Sequence, residues 1–205
     1  MYRIAVLVSG AGTNLQALLD ASARGELNCR VVKVISDRSG AYAIERARQA
    51  GVSAEVVSRR LYGPALSDHI LAALPPEVDI IVLAGFLSIL TGRILREFEG
   101  RILNVHPALL PDFGGKGMYG RNVHRAVLVA GATESGCTVH VVDAGTDTGP
   151  VVLQTRVPVE ATDTPESLAD RVRSVEHDTL ITGLRRHAEH LGLEAPAGPS
   201  GSRRT

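Results

Sequence analysis

A chain of 205 residues with 44% apolar content has the material for one domain with a sizeable core. Lysine plus arginine and aspartate plus glutamate each number 22, so no net field gathers a polyanion and nucleic acid is not an expected partner. The apolar start, residues 4–8, is too short to span a membrane and lacks the charged opening and cleavage site of a secretory signal, which makes the cytoplasm the expected location.

Residues 4–8 are continuously apolar, the pattern of a strand buried on both faces of a parallel sheet. Ser9-Gly10-Ala11-Gly12-Thr13-Asn14 turns the chain, and Leu15, Leu18, Leu19 and Ala23 then recur at helical spacing; if the glycine turn serves packing alone, Thr13 or Asn14 is its expected cap. A strand over 31–35, a helix over 41–50 closed by Gly51, a short strand over 54–57 and a helix over 65–74 stopped by Pro75-Pro76 continue the alternation. Residues 79–84 form the most apolar strand. A loop of unusual apolar content follows at 85–90, then a short helix at about 91–98 and a strand at 101–105. This order predicts a doubly wound, mostly parallel α/β sheet flanked by helices, with ligands bound outside the carboxyl ends of the strands. The turns at 10–14, 85–90 and 104–107 all follow strand ends, so one crevice collects them.

The pattern then changes. Residues 109–121 are polar and glycine-rich and read as a mobile loop, a candidate lid over 113–121; a helix over 123–130 follows. Val139, Val141 and Asp143 begin an alternating strand and 151–157 forms another, an antiparallel addition to the sheet. Thr164 caps a last helix with Pro165 in its first turn, running toward His190. Cys29 and Cys137 sit far apart in apolar stretches, as buried reduced thiols do. The expected organisation is one domain over 1–193 and a flexible tail over 194–205, rich in Ala, Pro, Gly and Ser.

Asn104-Val105-His106-Pro107 closes the strand at 101–105 with an amide and an imidazole on one side of it. An amide donates or accepts hydrogen bonds, an imidazole also carries a proton, and a carboxylate can hold that imidazole charged. Asp147, in Gly145-Thr146-Asp147-Thr148-Gly149-Pro150, supplies such a carboxylate if the fold brings it to His106; turn chemistry alone also accounts for it. No activated Ser, Cys or Lys stands beside them, so the triplet suggests acyl transfer without a covalent intermediate. The turn at Gly10 to Asn14 puts a helix N-terminus at a strand end, a site for one phosphate. Leu15 replaces the third glycine of a dinucleotide fingerprint and no GxxxxGK[ST] pattern is present. His187 and His190 read as a solvated helix face, His69, His124 and His177 form no cluster, and no metal site is expected.

Four blocks resemble, in order and spacing, the phosphoribosylglycinamide formyltransferases of the folate-dependent formyltransferase superfamily. They are residues 6–16, 82–90, 103–111 and 136–150, and the likeness runs from residue 2 to about 190. The resemblance implies formyl transfer from 10-formyltetrahydrofolate, as co-substrate, to the amine of glycinamide ribonucleotide. Asn104, His106 and Asp147 match the family's catalytic triplet. Gly12, Thr13 and Asn14 match its phosphate-binding turn, and Glu176 matches the acidic residue on the ribonucleotide. Leu87, Ser88, Ile89, Leu90, Asn104, Asp143, Ala144 and Asp147 match the folate pocket. Ser88 stands where many relatives carry arginine, and 59–64 aligns poorly, leaving Arg59 and Arg60 both open as its replacement. A formyltetrahydrofolate hydrolase is the nearest rival, although it usually carries a further N-terminal domain. A methionyl-tRNA formyltransferase would add length and positive charge, and a non-catalytic nucleotide-binding module is a third reading. The composition allows a homodimer.

Overall fold

Alternate residues of the first strand, β1 (Tyr2–Val8), enter two different hydrophobic layers. Ile4, Val6 and Val8 pack with Leu15, Leu18 and Leu184, whereas Ala5 and Leu7 pack with Leu66, Ile70 and Ile94. Both faces are covered, which is why the strand is apolar throughout. The computed structural model describes residues 1–194; apart from Glu194, the expected tail at 194–205 lies outside the described residues.

After β1 come α1 (Thr13–Ala23), β2 (Cys29–Ser36), α2 (Ala43–Gln49), β3 (Ser53–Val56), α3 (Arg59–Tyr62), a 3-10 turn (Gly63–Ala65), α4 (Leu66–Ala73) and β4 (Ile80–Leu83). Then follow α5 (Arg93–Glu97), β5 (Ile102–His106), α6 (Arg121–Val129), β6 (Glu134–Val141), β7 (Val151–Pro158) and α7 (Pro165–His190). The strands form one sheet in the order β3-β2-β1-β4-β5-β6-β7. Pairing is parallel from β3 to β5 and antiparallel for β6 and β7, as the change of pattern after residue 109 predicts. The order of winding reverses between β1 and β4, the place where such sheets open a crevice at their carboxyl ends.

Some local expectations are corrected. β6 begins at Glu134 rather than Val139, and residues 135–140 are buried without alternation. One face of it meets α7, where a Cβ on Gly183 would stand 2.9 Å from the Val139 Cβ, so glycine permits the approach. On the other face, the Thr138 hydroxyl donates to the Ala108 carbonyl and accepts from the Leu110 N–H. The N-cap of α1 is Gly12, at φ 74°, and neither Thr13 nor Asn14 makes a capping bond. The second helix starts at Ala43 rather than 41, where the Ala43 N–H donates to the Gly10 carbonyl and ties α2 to the glycine turn.

His187 is buried, not on a solvated face. The last helix stays packed to its final turns, with Leu184 and Ala188 fully buried, and the His187 Nε2 donates to the Gly100 carbonyl at 2.8 Å. Thr164 does cap α7, in a reciprocal pair with Ser167. Cys29 and Cys137 are buried and unpaired, and burial pushes both thiols up to about 11. Among the described residues no helix is long and apolar enough to cross a membrane.

Candidate active site

A cleft of about 430 Å³ opens beside the switch point. Its walls are the loop carrying Leu87, Ser88, Ile89 and Leu90, the end of β5 with Asn104 and His106, the turn carrying Asp143 and Asp147, the glycine-rich 115–120 segment, and Glu176 of α7. A volume of this order suits a heterocycle-sized ligand. Ala144 is not among the cleft residues, unlike its neighbours Asp143 and Gly145.

The fold brings Asp147 to His106 across forty-one positions of sequence: its Oδ2 lies 3.6 Å from the imidazole Nδ1. The same oxygen accepts the Gly115 N–H at 3.0 Å, and the other, Oδ1, lies 3.6 Å from His140 Nε2. Asp147 adopts φ 58°, a left-handed conformation that a β-branched residue would resist. Asp143 organises this turn from within, its Oδ1 accepting both the Gly145 N–H at 3.0 Å and the Thr148 hydroxyl at 2.7 Å.

The donor and acceptor roles follow from what each partner permits. The Phe113 carbonyl can only accept, so His106 Nε2, 2.7 Å away, carries a proton. A second proton, on Nδ1, is what turns the approach of Asp147 into an ion pair. His140 Nδ1 faces the Val141 carbonyl at 3.0 Å and therefore donates, which leaves Nε2 to accept from the Asn104 Nδ2 amide at 3.0 Å. Burial holds His140 below the ordinary imidazole range, against the opposing pull of the Val141 carbonyl and the Asp147 charge, so the neutral, accepting form prevails. The amide orientation of Asn104 is thereby fixed, with one N–H directed at His140 and the other available to a ligand.

Gly12, Thr13 and Asn14 do not line the cleft themselves. They reach it through Asn14, which is buried and donates from Nδ2 to Glu176 Oε1 at 2.9 Å. The Asn14 Oδ1 is buried with no hydrogen-bond partner. Gly12 is held against α2, where a Cβ would stand 2.6 Å from the Ala43 Cβ. Of the two arginines left open at the sequence level, neither lines the cleft; Arg59 lies 3.6 Å from the carboxylate of Asp37.

Sequence reasoning overlooks His140 and the Phe113 carbonyl. A signal for His140 exists, since a polar residue stands two places from Thr138 within an apolar run, but its meaning depends on the antiparallel register that sets it opposite Asn104. Among the described residues no group of His, Cys, Asp and Glu is placed to hold a metal ion.

Comparison with known proteins points to one family. A family model described as formyl transferase matches residues 2–184. The trifunctional purine biosynthetic protein adenosine-3 of Drosophila melanogaster is 44% identical over 203 residues, 95% of this chain, although the chain spans only 14% of that protein's length. The crystal structure of glycinamide ribonucleotide transformylase 1 from Symbiobacterium toebii superposes with a TM-score of 0.86 at 44% identity, covering 93% of this chain and 89% of the other. A formyltetrahydrofolate deformylase from Pseudomonas syringae gives a TM-score of 0.82 at 25% identity, over 92% of this chain and 62% of its own.

Proposed function

The chain belongs to the formyl transferase family, and from that premise we propose that it moves the formyl group of 10-formyltetrahydrofolate onto the amine of 5'-phosphoribosylglycinamide. The products are the formylated ribonucleotide and tetrahydrofolate, a step of purine synthesis. The observation that carries this reading is the convergence of Asn104, His106 and Asp147 in one cleft that also holds Glu176.

The reaction asks for donors to a developing oxyanion and a path for one proton. The acceptor amine attacks the formyl carbon, and the carbonyl electron pair moves onto oxygen. The second N–H of Asn104 and the Nε2–H of His106, once released by Phe113, donate to that oxygen. The Asp147 carboxylate, 3.6 Å from Nδ1, orients the His106 ring, and a water passes the ammonium proton to the departing folate nitrogen as the carbon–nitrogen bond breaks. Neither a metal nor a covalent enzyme intermediate enters the scheme. Leu87, Ser88, Ile89 and Leu90, with Asp143 and the backbone around it, would receive the folate ring.

Glu176 and the unpartnered Asn14 Oδ1 favour a hydroxyl-bearing acceptor such as a ribose. The phosphate would then meet the N-terminal N–H groups of α1, beyond Gly12 and Thr13. Water as acceptor, the hydrolase reading, leaves these groups without a task. An assay with 10-formyltetrahydrofolate, with and without the ribonucleotide, tests the proposal. Formylated ribonucleotide should form when both are present, with little formate released when the acceptor is omitted; formate release that is independent of the acceptor would identify a hydrolase instead.

A further inference from the structure

We propose that Asp37 is a positioning residue for the folate side of the cleft, its buried carboxylate setting the shape of the loop at 85–90 through Ser88. This rests on the formyl-folate reading above. Asp37 follows β2 and is 1% exposed, and it is not itself a cleft residue. Its Oδ2 accepts the Ser88 hydroxyl at 2.6 Å, a short bond of the kind a charged acceptor makes. Arg59 approaches the same oxygen at 3.6 Å, and Oδ1 is buried with no hydrogen-bond partner.

A carboxylate out of water is expensive to keep, and one whose second oxygen is unpartnered is poor as a purely stabilising device. What it does hold is the middle of a loop whose flanks are pinned by buried Phe86 and Leu90 and by the Ser9 N–H bond to the Gly85 carbonyl. Leu87 N–H donates to the Ser9 hydroxyl at 2.8 Å, and Thr91 N–H to the Ser67 hydroxyl at 3.0 Å; between them Ser88 makes a polar inward contact and Leu90 an apolar one. With Ser88 turned toward Asp37, its neighbours Leu87 and Ile89 face outward, 42% and 59% exposed, as cleft-lining apolar groups. Large exposed aliphatic side chains beside a cleft are what an apolar ring system would cover.

The test compares wild type with Asp37→Asn, Ser88→Ala and Ser88→Thr, reading kcat, both KM values and the calorimetric Kd for tetrahydrofolate. Asp37→Asn keeps the shape and loses the charge, and Ser88→Ala loses the donor. Both should raise the KM for 10-formyltetrahydrofolate and the Kd for tetrahydrofolate by roughly five- to tenfold, the scale of one ordinary net hydrogen bond, because the loop keeps its other anchors. The ribonucleotide KM should stay within about twofold, as for a loss confined to one substrate. Ser88→Thr, which keeps the hydroxyl, should restore wild-type behaviour. Unchanged folate constants in both variants, an equal rise in both KM values, or failure of Ser88→Thr to restore would overturn the role of Asp37. If Asp37→Asn does not fold, the Ser88 pair decides by the same criteria. A wild-type protein that neither binds tetrahydrofolate nor transfers formyl would overturn the formyl-folate reading, and this inference with it. Active wild type with insensitive variants overturns this inference alone.

Discussion

The Asn104 amide donates to a neutral His140 at 3.0 Å across adjacent antiparallel strands, so the catalytic candidate is aimed by a residue on the next strand. Removing that acceptor in His140→Ala leaves the amide free to rotate. The loss of one orienting hydrogen bond, about 1 kcal/mol, should lower kcat by roughly five- to tenfold with little change in the ribonucleotide KM. Wild-type kcat in this variant would show that Asn104 needs no such partner.

Asn104→Ala and His106→Ala test the oxyanion donors directly. Each should lower kcat by about 100- to 1000-fold, roughly 3 to 4 kcal/mol, while the ribonucleotide still binds in a calorimetric titration. Near-normal turnover in either variant would remove that residue from the mechanism.

Stability should fall on both sides of neutrality. His124, His140 and His187 are all held below the ordinary value of 6.5, with burial as the largest cause. As pH drops below 6.5 the unfolded chain takes up protons that the folded chain refuses, so stability is lost until the pH passes the lowered folded values. The buried thiols act in the opposite sense, because Cys29 and Cys137 stay protonated to about 11 when folded and ionise near 9.0 when unfolded, so stability falls as pH rises through that window. The Tm should be highest between roughly pH 7 and 9. A Tm that rises as pH is lowered from about 7.5 to 5.5 would contradict the histidine assignment.

Gly12→Ala should damage both fold and site. The residue sits at φ 74°, and the new methyl would meet Ala43 at 2.6 Å, forcing α2 away from the turn. Backbone strain and overpacking together should cost about 2 to 4 kcal/mol, visible as a lowered Tm, with weaker binding of the phosphorylated acceptor. Gly10→Ala is the control, since nothing lies within 4 Å of the added carbon. Equal Tm values for the two variants would refute the packing argument.

The glycine-rich segment carries a dynamic prediction. Gly115 N–H is bonded to Asp147, and Gly115 to Gly120 line the cleft. If 113–121 is a lid, amide exchange across it should slow when tetrahydrofolate and the ribonucleotide are both bound. Exchange rates that ignore both ligands would dismiss the lid.

The order of strands and helices is legible because both faces of the central strands are covered and the chain marks each turn with glycine or proline, as at Gly51 and Pro75. Asn104 and His106 are legible for a local reason, two polar residues on one side of a strand that Pro107 ends. Asp147 is half legible: the carboxylate is plain, whereas its reach to His106 is a property of the turn that Asp143 folds. His140 and Asp37 escape because their partners, Asn104 and Ser88, are thirty-six and fifty-one positions away and only pairing or loop packing unites them. The cap of α1 fails differently. Ser, Thr and Asn are the usual caps, but the close approach of Ala43 selects a glycine there.

The Phe113 carbonyl sits 2.7 Å from His106 Nε2, and on the proposed mechanism this carbonyl of the protein holds the berth that a formyl oxygen would take. Entry of the formyl group then exchanges one neutral acceptor for another, with little net change in binding. The difference emerges only when the incoming oxygen acquires charge, which a peptide carbonyl does not do. On the proposed mechanism His106 therefore contributes little to holding the ground state and much to crossing the barrier, and the backbone at Phe113 is the reason for that division.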